Sequence, residues 1–377
     1  MHPASSQSSR KVLDPNEFEA LRESVATTLA KECNSLAVHA FIDGRSDLDT
    51  VLWRHAVDLG WLAIALSEEH GGLGLGAAGV QLLCRELGKC AAPGAFIPTI
   101  CGMEWLSRLG GEIAAPLFEQ VVAGEASLAI PALASVDSLR LDGKGVTGTI
   151  ELLAGGPRSF AVVPVSCGSS QNWGVIDLAG DGVKIDQPEL WDRTRKIIRV
   201  TFDGAICAER IDDPVERAGE LLVSLIAIAL AADSVGAAQA ITEKTIAYLK
   251  ERIQFNRPIA SFQAIKHRAA DLVTMIATQE NLLLQAVESF DFGSPDAAIW
   301  ARLAKAGASD AAAFITGDCI TLHGGVGHTW EYDPHIFAKR ARLNQFLLAD
   351  NGELRSEAVR SLTLAIADGR TATEIFA

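Results

Sequence analysis

The sequence offers few groupings of residue types that could do chemistry. In "LHGGVGH", residues 322–328, Gly324 and Gly325 follow His323 directly. Lacking a Cβ, such glycines let backbone amides approach a bound molecule closely. Other chemistries are poorly served. His39, His55, His70, His267, His323, His328 and His335 show no HExxH spacing, so no metal site is expected. No G-x-S-x-G appears, which removes a serine-nucleophile elbow. "GLGLGAAG", from Gly72, superficially resembles a dinucleotide loop, but it follows helical sequence rather than a strand. The seven cysteines (33, 84, 90, 101, 167, 207, 319) contain no CxxC pair and read as reduced cytosolic thiols, mostly small core residues.

Composition narrows the classes further. At 377 residues the chain can hold two or three domains around sizeable cores. With 49% apolar and 21% charged residues it reads as soluble and globular rather than disordered. A formal charge of −14 argues against a general nucleic-acid partner, though not against a local basic pocket for one phosphorylated ligand. The apolar run "LLVSLIAIALAA", Leu221 to Ala232, is 12 residues long, short of the ~20 that span a bilayer. It is expected to be a helix buried in protein. The N-terminal "MHPASSQSSRKVLDPNE" carries no apolar leader segment, so a cytoplasmic location without membrane insertion is expected.

The elements that must position any site fall in the order helices, sheet, helices, an α+β (mostly α) class. Residues 1–124 are expected to form an N-terminal helical domain. Phe18, Leu21, Val25 and Leu29 make one amphipathic stripe, Val51, Leu52, His55 and Leu59 a second, and "AAGVQLLCRELGKC" a third helix ended near Gly88. Residues 125–215 change to short runs rich in Val, Ile, Thr and Phe ("GVTGTIELL", "SFAVVPV", "NWGVIDL", "IIRVTFDGA"), a small antiparallel β-domain. Residues 216–377 return to long Ala- and Leu-rich helices that suit a four-helix bundle, with a tail helix near 353–366.

That order, with three motifs, resembles the acyl-CoA dehydrogenase family over essentially the whole chain. "GWLAIALSEEHGGLG", residues 60–74, is similar to the family's GW…PEE-x-GG-x-G. "YLKERIQFNRPIASFQAIKHRAAD", Tyr248 to Asp271, is similar to its Y-x-x-x-R-x-x-F-G…Q pattern, with Asn256 in place of the usual glycine. "CITLHGGVGHTWEYDPHIFAKRAR", residues 319–342, is similar to its His-Gly-Gly turn, with Thr321 where glutamine is usual. The resemblance implies that Arg252, Gln254, Phe255 and Gln263 reach across a subunit interface to the diphosphate and ribityl part of an FAD bound mainly by a neighbour. It implies that His323, Gly324 and Gly325 pack on the adenosine half. A guanidinium, with its fixed fork of donors, suits a diphosphate better than an ammonium does. The charges from Glu331 to Arg342 read as a solvated face.

Three features that the family uses for chemistry are missing. Abstraction of an α-proton from an acyl thioester needs a carboxylate at the α-carbon. Counting from the His-Gly-Gly turn, the usual glutamate falls on Leu348, and the alternative location on the first long bundle helix falls on Ile226. The strand that holds the flavin ring is reduced to "AIPALASVD", with Ala129 and Ile130 at the usual Thr and acidic positions and Pro131 and Ser135 as remnants. The W-[IV]-[TS] signature aligns with Leu152-Leu153-Ala154. The expectation is therefore a chain with no catalytic residue of its own, and in this it resembles the non-catalytic subunit of a heteromeric acyl-CoA dehydrogenase of the bacterial steroid side-chain type, which implies an α2β2 assembly. A homologous catalytic partner would hold the acyl-CoA, and FAD would be shared across the interface. The alternatives are a self-sufficient enzyme with a relocated acid (Asp350, Asp192 or Glu331) and a flavin-free scaffold of the same fold. Arg193 and Arg195 read as structural, with a phosphate contact as the other possibility.

Overall fold

The structure, a computed structural model, describes residues 11, 13–109, 114–133, 139–168, 170–212, 217–371 and 374–375; Ser135 lies outside them. Six helices come first: α1 (Pro15–Glu32), α2 (Ser35–Ile42), α3 (Leu48–Asp58), α4 (Gly76–Lys89), α5 (Phe96–Leu109) and α6 (Ala114–Val122). α1 begins where Asp14 accepts from the Asn16 and Glu17 amides while Glu17 reaches back to the Asp14 amide, a capping box with Pro15 in the first turn. Its stripe packs inward as expected, Val25 and Leu29 fully and Phe18 and Leu21 partly. In α3 the buried face is Leu48, Leu52, Trp53 and Ala56 rather than the expected one, and Leu59 is exposed. The Trp53 indole donates to the Gly124 carbonyl at 3.0 Å, which fixes the helix rotation. Gly88 does not cap α4. It lies within the helix, and a Cβ there would sit 2.3 Å from the Asp233 carbonyl oxygen. Gly236 meets the Arg85 carbonyl in the same way, so this glycine pair brings two helices into backbone contact.

Seven strands follow: β1 (Ser127–Pro131), β2 (Leu139–Asp142), β3 (Gly145–Ala154), β4 (Ser159–Cys167), β5 (Ser170–Asp177), β6 (Val183–Asp186) and β7 (Lys196–Asp212). Their pairings close into a ring through β3, β7, β5 and β4, with β1 and β2 end to end in the slot between β3 and β4, and β6 outside on β7. Occupying that slot makes β1 and β2 parallel to β4, so the sheet is mixed rather than purely antiparallel. Side-chain alternation gives it two buried faces. Ala129, Ile150, Leu152, Val163, Val200 and Phe202 fill the ring, whereas Leu128, Ile130, Leu153 and Val162 join the main helical core.

The chain then enters α7 (Arg217–Glu251), a two-stranded hairpin β8 (Ile253–Gln254) and β9 (Arg257–Pro258), α8 (Gln263–Asp291), α9 (Ala297–His323), α10 (Pro334–Phe346) and α11 (Asn351–Ala367). α7 contains the long apolar run, and its most apolar window is 89% buried inside the protein. It is the central core helix, packed on α4, α5, α8 and α9.

Candidate functional site

The tail-binding candidates gather at one end of the helical bundle. α7 ends at Glu251 and hands Arg252 to the β8–β9 hairpin, whose two-residue turn is Phe255-Asn256. Both turn residues have positive φ, 52° and 61°, as a type I′ turn requires. Asparagine tolerates that conformation better than other residues with a Cβ, so Asn256 accommodates the replacement of glycine locally. Phe255 does not suit it, yet it is held there 86% exposed. Tyr248, four residues before Arg252, stacks on the His323 ring at 4.5 Å and donates from its hydroxyl to the His323 carbonyl at 3.3 Å. α8 and α9 run antiparallel, with Arg268 paired to Asp318 and Gln279 against Gly307. That register sets Gln263, five residues before Arg268, level with His323, five after Asp318. Sequence-distant residues thus share one end of the protein.

Within this set the side chains differ in what they can offer. Arg252, Gln254, Phe255, Gln263, Gly324 and Gly325 are outside the core, as the exposed or partly exposed members of the set. Arg252 makes no ion pair among the described residues; its near neighbours in sequence are Lys250, Glu251 and Arg257, all exposed. His323 is 6% exposed. Its Nδ1 lies 2.8 Å from the Cys319 carbonyl, and Tyr332 packs edge-on at 5.9 Å. The histidine ring therefore braces the turn from inside. Gly324, at φ 67° and ψ −145°, holds a conformation open to glycine alone, with empty space where a Cβ would be. Gly325 also faces open space.

The expected catalytic positions are apolar and buried. Leu348 is 1% exposed; its amide donates to the Ala132 carbonyl at 2.7 Å, and it bridges to Leu133 at the end of β1. β1 pairs Ile130 with Leu153 and Pro131 with Leu152 of β3. Ile226, Ile130, Leu153 and Leu348 belong to one buried core. Leu348 has φ 70°, a conformation that costs a non-glycine residue about 1–3 kcal/mol. Burying its side chain, roughly 1.5–3 kcal/mol, offsets that. The loop is also held from beneath. The fully buried Lys305 ammonium donates to the Gln345 and Ala349 carbonyls at 3.0 and 2.7 Å and to Asn351 Oδ1 at 2.8 Å. Burial pushes its pKa down to about 7. No side chain at Ala129, Ile130, Leu152, Leu153 or Ala154 can hydrogen-bond a flavin ring, so this half does not fit one, while the exposed donors of the hairpin end do fit a diphosphate tail.

The three carboxylates weighed as relocated acids have other positions. Asp350 is exposed and caps α11, accepting from the Gly352 amide at 2.7 Å. Glu331 is exposed. Asp192 is buried in a charge cluster that sequence reading missed. At its centre Asp233 of α7 pairs with Arg340 of α10 at 2.6 Å and with Arg195 at 2.9 Å, and accepts from Asn344 at 2.8 Å. Arg340 also donates to Thr194 Oγ1 and the Ala92 carbonyl, and Thr194 donates to Asp192. Burial alone would raise the Asp233 pKa, but Arg195 and Arg340 reverse this and hold it at about 2. Arg195 is thus structural, as expected. Arg340, 1% exposed, contradicts the solvated-face reading, because α10 is clamped between α7 and the loop before β7. Arg193 lies at the surface, paired with Glu189. The available signal was an aspartate inside an apolar helical run, which needs a buried cation.

Comparison with known proteins shows the family and the fold. The models for the acyl-CoA dehydrogenase N-terminal and C-terminal domains match residues 15–115 and 224–348. Acyl-CoA dehydrogenase IpdE2 of Mycobacterium tuberculosis is 31% identical over 344 residues, 90% of this chain and 95% of that protein. Acyl-CoA dehydrogenase FadE34 of the same organism is 28% identical over 306 residues, 80% of this chain and 41% of its own length. Among solved structures, a variant of the Tcur3481-Tcur3483 steroid ACAD superposes with TM-score 0.83 at 23% identity, covering 93% of this chain and 99% of that one. The ChsE4-ChsE5 complex from M. tuberculosis gives 0.80 at 22% identity, covering 96% and 99%. At these identities the two structures establish a shared fold.

Proposed function

Because the chain belongs to the acyl-CoA dehydrogenase family, we propose that it serves as the non-catalytic subunit of a heteromeric, FAD-dependent acyl-CoA dehydrogenase. Members of the family generally bind FAD, which when bound accepts the hydride from the acyl β-carbon. In this reading Arg252 supplies a two-pronged donor to the diphosphate, and Gln254 and Phe255 reach across the interface to the diphosphate and ribityl part beside it. Gln263 and the Gly324-Gly325 amides complete the tail site. A homologous partner brings the α-proton acceptor and the flavin-ring contacts, and it binds most of the acyl-CoA. The reading places the chain in the cytoplasm in an α2β2 assembly, in which two-fold related bundle faces would cover each other. The names of the steroid ACAD variant and of the ChsE4-ChsE5 complex support a heteromeric assembly and a bulky, steroid-derived acyl group.

One observation carries the reading. Apart from the buried His323, the residues suited to a cofactor tail are exposed, while both positions expected to act on substrate, Leu348 and Ile226, are buried apolar side chains. The test is Arg252→Ala in the co-expressed complex. Breaking a charge-assisted contact at an interface costs about 2–5 kcal/mol, so the FAD dissociation constant should rise at least tenfold while the two chains still co-purify. Unchanged FAD affinity would remove Arg252 from the site.

A further inference from the structure

Away from that site, Cys33 at the end of α1 and Cys90 at the end of α4, 57 residues apart, meet on the wall of one cavity. The cavity, of about 330 Å³, is also lined by Leu29, Val38, Lys244 and Asp333 and opens to solvent. Cys33 is buried and Cys90 partly exposed. The Cys33 sulfur lies 3.7 Å from the Cys90 carbonyl oxygen, and the Cys90 sulfur bonds back to the Glu86 and Leu87 carbonyls at 3.7 and 3.4 Å. We propose that Cys33 and Cys90 are a redox modification site, forming a reversible disulfide with a small external disulfide that enters through the cavity.

The chemistry follows from the two environments. The Cys90 sulfur, as thiolate, attacks the external disulfide, forms a mixed disulfide and expels one thiolate. The expelled thiolate takes the Cys33 proton, and the Cys33 sulfur then displaces the second external thiol from Cys90. Two protein thiols lose two electrons, and one external disulfide becomes two thiols. Cys33 is the buried sulfur of the two and Cys90 the accessible one, which makes Cys33 the second to react, and its neighbour Cys90 and then burial also push its pKa up. The product ties the α1–α2 junction to α4. α2 in turn holds the start of α10, because Ser35 and His39 both bond Asp333, next to the Tyr332 that packs on His323. The staple thus restrains the segment that leaves the Gly324-Gly325 turn.

The experiment uses the full chain with Cys167→Ser, which removes the one exposed thiol among the seven and leaves six. Treatment with 2-hydroxyethyl disulfide, followed by acid quench and alkylation under denaturing conditions, should leave four alkylatable thiols. A peptide joining Cys33 to Cys90 should appear, dithiothreitol should restore all six thiols, and Tm should be higher for the oxidised form. Cys33→Val should stop at a persistent adduct on Cys90, and Cys90→Ser, on the more exposed side, should abolish the reaction even if Cys33→Val fails to fold. Six thiols remaining after treatment, or the same two-thiol loss in Cys90→Ser, overturns the proposal.

Discussion

Replacing Asp233 with asparagine would probe the buried charge cluster that holds α10, and through it the Leu348 loop, against α7. The cluster holds two acids, Asp192 and Asp233, and two cations, Arg195 and Arg340, all at most 7% exposed. Asp233→Asn leaves a net positive charge in the core beside two guanidiniums that have lost their main acceptor. Breaking a buried pair by removing one partner costs about 3–5 kcal/mol. The titration gives a figure of the same order. The Asp233 pKa of about 2, against an ordinary 3.8, corresponds to about 2.4 kcal/mol at pH 7. A depressed carboxylate contributes fully above its unfolded pKa and loses that contribution as pH falls through its folded one. The penalty measured by urea unfolding should therefore be constant from pH 7 to about pH 4 and shrink below. Adding Arg195→Gln restores the charge balance, so the double variant should lose at least about 1 kcal/mol less than the sum of the singles. A change under about 1 kcal/mol for Asp233→Asn, or strict additivity, would refute the reasoning.

Two further outcomes follow from the site. Lys305 has its pKa lowered to about 7 by burial, so the unfolded chain binds more protons between about pH 7 and 10; stability should rise across that window by up to about 1.4 kcal/mol per pH unit, and Lys305→Met should flatten the rise in urea titrations. The Phe255-Asn256 turn has positive φ at both residues, so the double change Phe255→Asn with Asn256→Gly, the preferred type I′ pair, should stabilise the isolated chain by about 1 kcal/mol while weakening FAD retention in the complex.

How much of this was legible depends on sequence distance. α1 was readable because its cap and stripe are local, and α7 because an apolar run of that length must be buried. The hairpin and the glycine turn were found as motifs, but their meeting depends on the α8–α9 register and on Tyr248 stacking on His323, which one-dimensional spacing does not contain. Gly88 looked like a helix stop because its real constraint, the Asp233 carbonyl, lies on another helix. Arg340 looked like a surface charge because its partner is 107 residues away. The parallel placement of β1 and β2 beside β4 was hidden for the same reason: two short segments share one slot, and no local pattern reveals it.

The central claim is that this chain lends a surface to a cofactor whose reacting half is held elsewhere. Flavin stoichiometry and turnover, measured on the purified chain alone and on its complex with the homologous partner, test it most directly. The expected result is no bound FAD and no acyl-CoA oxidation by the chain alone, with one FAD per heterodimer and turnover in the complex. A homogeneous preparation of this chain that retains stoichiometric FAD and oxidises an acyl-CoA would contradict the account.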